Sequence, residues 1–432
     1  MQHHIVIVGG GAGGLELATR LGRTLGKRKR ARITLVDVNL THIWKPLLHE
    51  VAAGSLNTTD NELNYLAQAK WNHFDFQLGR LTGLDRNANT IQLAATLDNK
   101  GNELVPARSL KYDTLVLAVG SLTNDFGTPG ASEHCIFLDC LQNAQHFHQR
   151  LLGEYLSAHT RDGNNEQVSV AIVGAGATGV ELAAELRNAA RMLSDYGLDH
   201  IRPENMHINI LEAGPRILPA LSDKLATTAH QELLKLGVNI RLGAQVKEVT
   251  AEGFITADGE LIPATLKVWA AGVRAPAFLR ELDGLETNRI NQLVVETTLQ
   301  TTRDANIFAM GDCAACPLEP GSPHNVPPRA QSAHQQAGLL VKSLALRLQG
   351  KPLAHYQYRD YGSLISLSSF TAVGNLMGGF MHNVNLEGWM ARIFYISLYR
   401  MHQMVLYGRF RTLLLMLGDR IGKRTHPKMK LH

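Results

Sequence analysis

The residues with chemical promise fall in two matching sets. Gly9, Gly11 and Gly14 have the GxGxxG spacing, and Gly174, Gly176 and Gly179 repeat it. In such a turn the first glycine permits the tight bend, the second lets a pyrophosphate approach the backbone, and the third allows close helix packing. The amides and dipole of the following helix attract phosphate, so Ala12 and Gly13 in the first copy and Thr178 in the second belong to the same binding surface. Each copy is followed by a strand ending in a carboxylate, Asp37 and Glu212, suited to a ribose diol. Each later has an apolar run closing on glycine, Leu115 to Gly120 and Leu266 to Gly272, where backbone passes near a ligand. Two sites of this kind imply two dinucleotides. The economical assignment is one tightly held flavin and one exchangeable nicotinamide, a redox relay. Cys313 and Cys316 have redox or metal spacing, but no second pair completes four ligands, and no metal site is expected.

The elements that must position these residues follow from periodicity. Ile5 to Val8 and Val168 to Val173 are continuous apolar runs, as strands of a parallel sheet buried on both faces require. Each leads through its glycines into a helix. The chain is therefore expected to be α/β, with two Rossmann-like dinucleotide-binding domains and C-terminal amphipathic helices. Residues 1–125 are expected to form the first part of the first dinucleotide-binding domain, 126–295 the second dinucleotide-binding domain, 296–380 the returning part of the first, and 381–432 the C-terminal helices and basic tail. The polar run Arg161 to Asn165 is the loop that leads from the helical crossover into the second glycine-turn unit. Pro327 and Pro328 precede a helix from Ala330 to Leu348.

Bulk composition agrees. A chain of 432 residues, 45% hydrophobic with 39 glycines, suits two or three globular domains. Four cysteines do not make a disulfide framework, and no secretory or transit peptide precedes the first strand, so a cytoplasmic setting is expected. The net charge of +5 is uneven: residues 389–432 hold nine basic residues against Asp419, leaving the remainder at −3. In that tail Ile393, Phe394, Ile396, Met401, Met404, Val405 and Leu406 alternate with arginines, the composition of amphipathic helices on an anionic lipid surface. The charges exclude a membrane-spanning helix. A dimerisation helix is the competing use of the tail, and no nucleic-acid partner is expected. The second basic cluster, Arg20 to Arg32, is read as a solvated helix end and loop.

The order of fingerprint, Asp37, LVLAVGS, second fingerprint, Glu212, VWAAG and IFAMGDCA resembles the glutathione-reductase-like flavoproteins over nearly the whole chain. Trp44 to Gly54 (WKPLLHEVAAG), Arg329 to Gln336 (RAQSAHQQ) and the basic tail narrow the resemblance to type II NADH:quinone oxidoreductases, above all the enterobacterial-type respiratory enzyme. This resemblance implies FAD at the first site, with Asp37 on its adenosine ribose, Asp312 on its ribityl chain and Lys45 near the flavin edge. It implies NADH at the second, where Glu212 would repel the extra phosphate of NADPH and Arg216 tempers that preference. Glu181 would stand near nicotinamide and flavin. Gln331 and Gln335, with Ala333 between them, would lie where a membrane quinone meets the flavin, and His334 is a weaker candidate. The cysteine after Gly-Asp often has no chemical duty in such enzymes. The implied enzyme is peripheral, on the cytoplasmic face of the inner membrane, and moves two electrons from NADH to ubiquinone or menaquinone without pumping protons. The rival readings are a soluble flavin reductase serving an electron-transfer protein and a non-catalytic NADH-binding scaffold.

Overall fold

The computed structural model describes residues 2–98, 100–160, 168–195, 206–367, 372–378 and 381–422. The polar run 161–165 and the basic segment Lys423 to Lys430 lie outside the described residues. In chain order, β1 (His3–Val8) leads into α1 (Ala12–Leu21), β2 (Ala31–Asp37), α2 (Leu48–Ala53), α3 (Tyr65–Asn72), β3 (Asp75–Leu78) and β4 (Thr114–Leu117). After β5 (Ile136–Phe137) and α4 (Leu141–Thr160) come β6 (Val168–Val173), α5 (Ala177–Asp195), β7 (Met206–Glu212), β8 (Val238–Leu242) and β9 (Leu266–Trp269). The chain then returns through β10 (Gln300–Thr301), β11 (Asp304–Ala309) and α6 (Ala330–Arg347). It ends with β12 (Gly362–Ser366), β13 (Ala372–Gly378), β14 (Met381–Gly388), α7 (Trp389–Tyr407) and α8 (Arg409–Gly422).

Two sheets share one plan. The first runs β10-β11-β4-β1-β2-β3, the second β5-β9-β6-β7-β8. In each, the strand entering a fingerprint lies between the carboxylate-bearing strand and the strand that closes on glycine. Ile5 pairs with Ile33 and Thr114, and Ile172 pairs with Ile210 and Val268, all in parallel. Ile5, Val6, Ile7, Val170 and Ile172 are fully buried. Removing each such side chain from water contributes about 2 kcal/mol, which fixes the register that aims both turns at the sheets' C-terminal edges.

The WKPLLHEVAAG run crosses between the two units. Leu48, Val51, Ala52 and Ala53 on α2 are buried in the core of the second unit, with Phe147, Leu151 and Val180. Burial of that face carries His49 and Glu50 to the joint between the sheets. β12 belongs to an antiparallel three-stranded sheet completed by β13 and β14. The C-terminal helices begin only after β14, at Trp389.

Candidate functional site

The two glycine turns are built alike. Gly9 has φ +104°, and a Cβ there would stand 2.3 Å from the Ala118 carbonyl oxygen; Gly174 has φ +101°, with Ala271 backbone 2.8 Å away. A Cβ on Gly14 would meet the Gly9 oxygen at 1.9 Å, and one on Gly179 would meet the Gly174 oxygen at 2.0 Å. By contrast, a Cβ on Gly11 or Gly176 meets nothing within 4 Å. Four of the six glycines are therefore demanded by the protein's own packing. Gly11 and Gly176 face open space, the cradle a pyrophosphate needs.

The carboxylates are duplicated as closely. Asp37 Oδ2 accepts from the Gly10 amide at 2.6 Å, and Glu212 Oε2 accepts from the Ala175 amide at 2.7 Å. Their second oxygens accept from the amides of Asn39 and Gly214. Burial pushes the Asp37 carboxyl up, against the amides that stabilise its charge. Arg216 donates to Asp223 and to the Pro219 carbonyl, so its guanidinium is engaged away from Glu212's two amide partners. Ala12 opens α1 and the exposed Thr178 lies in the first turn of α5. Gly13 and Ala333 meet each other: a Cβ on Gly13 would stand 3.1 Å from that of Ala333, where α1 packs on α6.

Around the first turn lies a polar cluster. Gly120 has φ +72° and open space at its Cβ position. Next to it Ser121 Oγ donates to Asp312 Oδ2 at 2.8 Å, and Lys45 Nζ donates to the Ser121 carbonyl at 2.8 Å. The Gly311 amide donates to Gln336 Oε1 at 2.6 Å. Lys45, Gly120 and Asp312 are thus brought together. Ser121 and Gln336 were not singled out from sequence; their only signal was position inside the LAVGS and RAQSAHQQ runs. Gly272 (φ +67°) lies under the Phe126 ring, and β9 is tied to this loop by Trp269 Nε1 donating to the Asn124 carbonyl.

Glu181, on α5 just beyond the second turn, is buried where α2, α5, β12 and α7 meet. The Ser366 amide donates to Oε1 at 3.0 Å, and His49 Nδ1 stands 3.6 Å from Oε2. Burial first, then the neighbouring Glu50 and Glu185 carboxyls, push the Glu181 carboxyl up to about 8, against the Ser366 hydrogen bond. Burial pushes His49 down to about 4. Between those values both groups are neutral, so their contact is not an ion pair. The Tyr395 phenol of α7 faces Glu181 and Glu50, and burial and those two carboxyls push its ionisation well up.

Gln331 and Gln335 line the edge of α6 that faces residues 359–362. Gln331 Nε2 donates to Asp360 Oδ1 at 3.2 Å and to the Gly362 carbonyl at 3.1 Å, while its Oε1 accepts from the Tyr361 amide. Gln335 donates to the Arg359 carbonyl and accepts from the Arg359 amide. β12 therefore joins Gln331 at its first residue to Glu181 at its last. His334 turns the other way, with Nδ1 2.7 Å from Glu16 Oε2. The buried Glu16 also lies 2.9 Å from His402 Nδ1 on α7, and these imidazoles hold its carboxyl down at about 2 despite burial.

All four cysteines are free. Burial raises Cys313 to about 11 and Cys316 to about 12, so both are protonated thiols at neutral pH and poor nucleophiles or ligands. Among the described residues no group of three or more His, Cys, Asp or Glu is placed to hold a metal ion. No described helix is long and apolar enough to cross a membrane.

Comparison with known proteins gives a consistent outcome. The family described as pyridine nucleotide-disulphide oxidoreductase matches residues 3–337. The type II NADH:quinone oxidoreductase of Haemophilus influenzae is 45% identical over 99% of this chain and 100% of its own length. The enzyme of the same name from Staphylococcus aureus is 29% identical over 87% of this chain and 90% of its own. Among solved structures, NDH2 from Plasmodium falciparum in complex with NADH superposes with a TM-score of 0.83 at 19% identity, covering 100% of both chains. That last likeness concerns the fold, which is the two-dinucleotide architecture described above. The chain belongs to the pyridine nucleotide-disulphide oxidoreductase family and, within it, to the type II NADH:quinone oxidoreductases.

Proposed function

We propose that the chain is a peripheral membrane enzyme that oxidises NADH and reduces a membrane quinone by way of bound FAD, without moving protons across the membrane. FAD supplies the two-electron carrier between the two substrates. The observation that carries the reading is the meeting at Glu181 of three parts: α5 from the NADH-side turn, α2 from the flavin domain, and α7 from the C-terminal helices.

The residues divide the work. Gly9, Gly11, Gly14 and Asp37 hold the FAD adenosine diphosphate, while Lys45, Gly120 and Asp312 border its ribityl and ring end. Gly174, Gly176, Gly179 and Glu212 hold NADH, and Thr178 and Gly272 flank it. The Glu212 carboxylate, with Arg216 engaged by Asp223, favours NADH over NADPH by like-charge repulsion of a 2′-phosphate. Glu181 keeps a proton at neutral pH. Because Ser366 donates to Oε1, that proton sits on Oε2, available to an oxygen that gains electrons nearby. Gln331 and Gln335 hold the 359–362 segment and so shape the quinone side.

Exposed Leu398, Met401 and Met404 on α7, and Phe410 with the unbroken run Leu413 to Leu417 on α8, form the apolar face that rests on an anionic lipid surface. The cytoplasmic face of the inner membrane is where NADH is supplied. A second copy of the chain is the competing occupant of that face. Turnover of NADH with a panel of quinones, with and without anionic vesicles, tests the reading: lipid-stimulated quinone reduction supports it, and a protein that stays yellow with NADH overturns it.

A further inference from the structure

The apolar C-terminal helices do not stand alone. Their junction, Tyr407 to Arg411, rests on α3 of the flavin domain. The Arg411 guanidinium lies 5.1 Å from the centre of the Trp71 ring, and the Tyr407 ring lies 6.2 Å from it. Trp71 is 47% exposed and Leu66, on the same short helix, 56% exposed. This helix cannot swing freely, because Tyr65 is buried and its hydroxyl donates to the Gly10 carbonyl at 2.7 Å. Both large apolar side chains of this anchored helix are thus held out to solvent, Trp71 of them directly beside the start of α8, whose Phe410 is 72% exposed.

The basic cluster after α1 joins the same junction. Arg23 donates to the Val405 and Leu406 carbonyls at 2.7 Å, capping the end of α7, and to Asn72 Oδ1 at 2.8 Å at the end of α3. The chain continues into Lys27, Arg28, Lys29 and Arg30. All four are exposed, and none forms an ion pair among the described residues. Lys70 precedes Trp71 and is also exposed. Tryptophan and tyrosine with cations at the margin of an apolar patch match the chemistry of a lipid headgroup layer.

We infer that the flavin domain itself enters the lipid interface, with Leu66 and Trp71 on α3 inserted beside α7 and α8 and the adjoining cations meeting anionic headgroups. The inference rests on the peripheral-membrane reading above. It makes the docking surface composite, so it orients the flavin domain on the bilayer instead of tethering it through a C-terminal appendage.

The test uses the full-length, FAD-loaded protein and vesicles of phosphatidylcholine with phosphatidylglycerol. Leu66→Ser with Trp71→Ser should weaken vesicle partitioning by about tenfold or more, from the apolar area lost, while flavin content and NADH turnover with a short-chain soluble quinone stay unchanged. Phe410→Asp with Leu414→Asp serves as the comparison on α8. On vesicles carrying brominated acyl chains, the tryptophan emission lost in Trp71→Phe should be the part that is quenched in the unsubstituted protein. If the α8 variant releases the protein and the α3 variant partitions normally, the composite surface is wrong and the membrane reading stands. If the unsubstituted protein does not bind vesicles, both fall. If the α3 changes alter only the mass in solution, the occupant is a second copy and the inference is overturned.

Discussion

Glu16 Oε1 lies 2.9 Å from His402 Nδ1, joining the first helix of the flavin domain to the C-terminal helix α7 through a buried pair. The ionised carboxylate can only accept, so both His402 and His334 present Nδ1–H to it. His402 Nε2 then stands 3.3 Å from Nε2 of the buried His42, which burial first, and then the nearby His402, push down to about 3. One of those nitrogens carries the proton that bridges them. Replacing Glu16 by alanine leaves this chain of imidazoles without its acceptor and should destabilise the protein by about 3 kcal/mol or more. Because the folded-state value is depressed, the contribution is fully present above about 4.5 and disappears as pH falls towards about 2. Urea unfolding between pH 6 and pH 3 should show a steeper loss in the unsubstituted protein than in Glu16→Gln.

Glu181 has the opposite sign. Its folded-state value is raised, so its ionisation is resisted and the protein loses stability as pH rises from about 4.5 to about 8. Glu181→Gln should flatten that slope. It should also remove the decline in quinone turnover near pH 8 that the unsubstituted enzyme shows as its carboxyl loses the proton. A pH profile that keeps this limb in the glutamine variant would assign it to another group.

Glu212→Ala removes the acceptor for the Ala175 and Gly214 amides at the mouth of the second turn. The NADH Michaelis constant should rise about tenfold, the worth of one charge-assisted hydrogen bond, with flavin content nearly unchanged. The converse change at Asp37 should lower flavin content.

Gln331→Leu releases the Gly362 end of β12, whose other end is bonded to Glu181. Quinone reduction should fall more than flavin reduction by NADH, each measured as a half-reaction. Equal slowing of both would mean that α6 serves the flavin and not the quinone.

Much of this was legible beforehand because it is local. The glycine turns, Asp37, Glu212 and the apolar strands carry their signal within a few residues, and both sheets follow from it. The C-terminal pair of helices was likewise visible in its alternation of arginine with apolar residues. Contacts that depend on tertiary packing were not. Glu16 reads as an ordinary helix residue until α7 and α6 bring His402 and His334 to it. The cluster from Arg20 to Arg32, read as solvated, holds Arg23 at the end of α7. Gly13 and Ala333, expected at the cofactor from their motifs, also lie where α1 packs on α6, a contact their motifs do not announce. β14 escaped notice because its polar-apolar alternation spans only Asn383 to Glu387, and its asparagines and glycine are poor strand formers.

The central claim is that electrons pass from NADH through the bound flavin to a quinone. Anaerobic mixing of the yellow, vesicle-bound protein with one equivalent of NADH, followed by quinone, tests it most directly. The account predicts that NADH bleaches the flavin and that quinone restores its colour at a rate matching turnover. A flavin that NADH leaves oxidised, or that stays bleached when quinone is added, would contradict it.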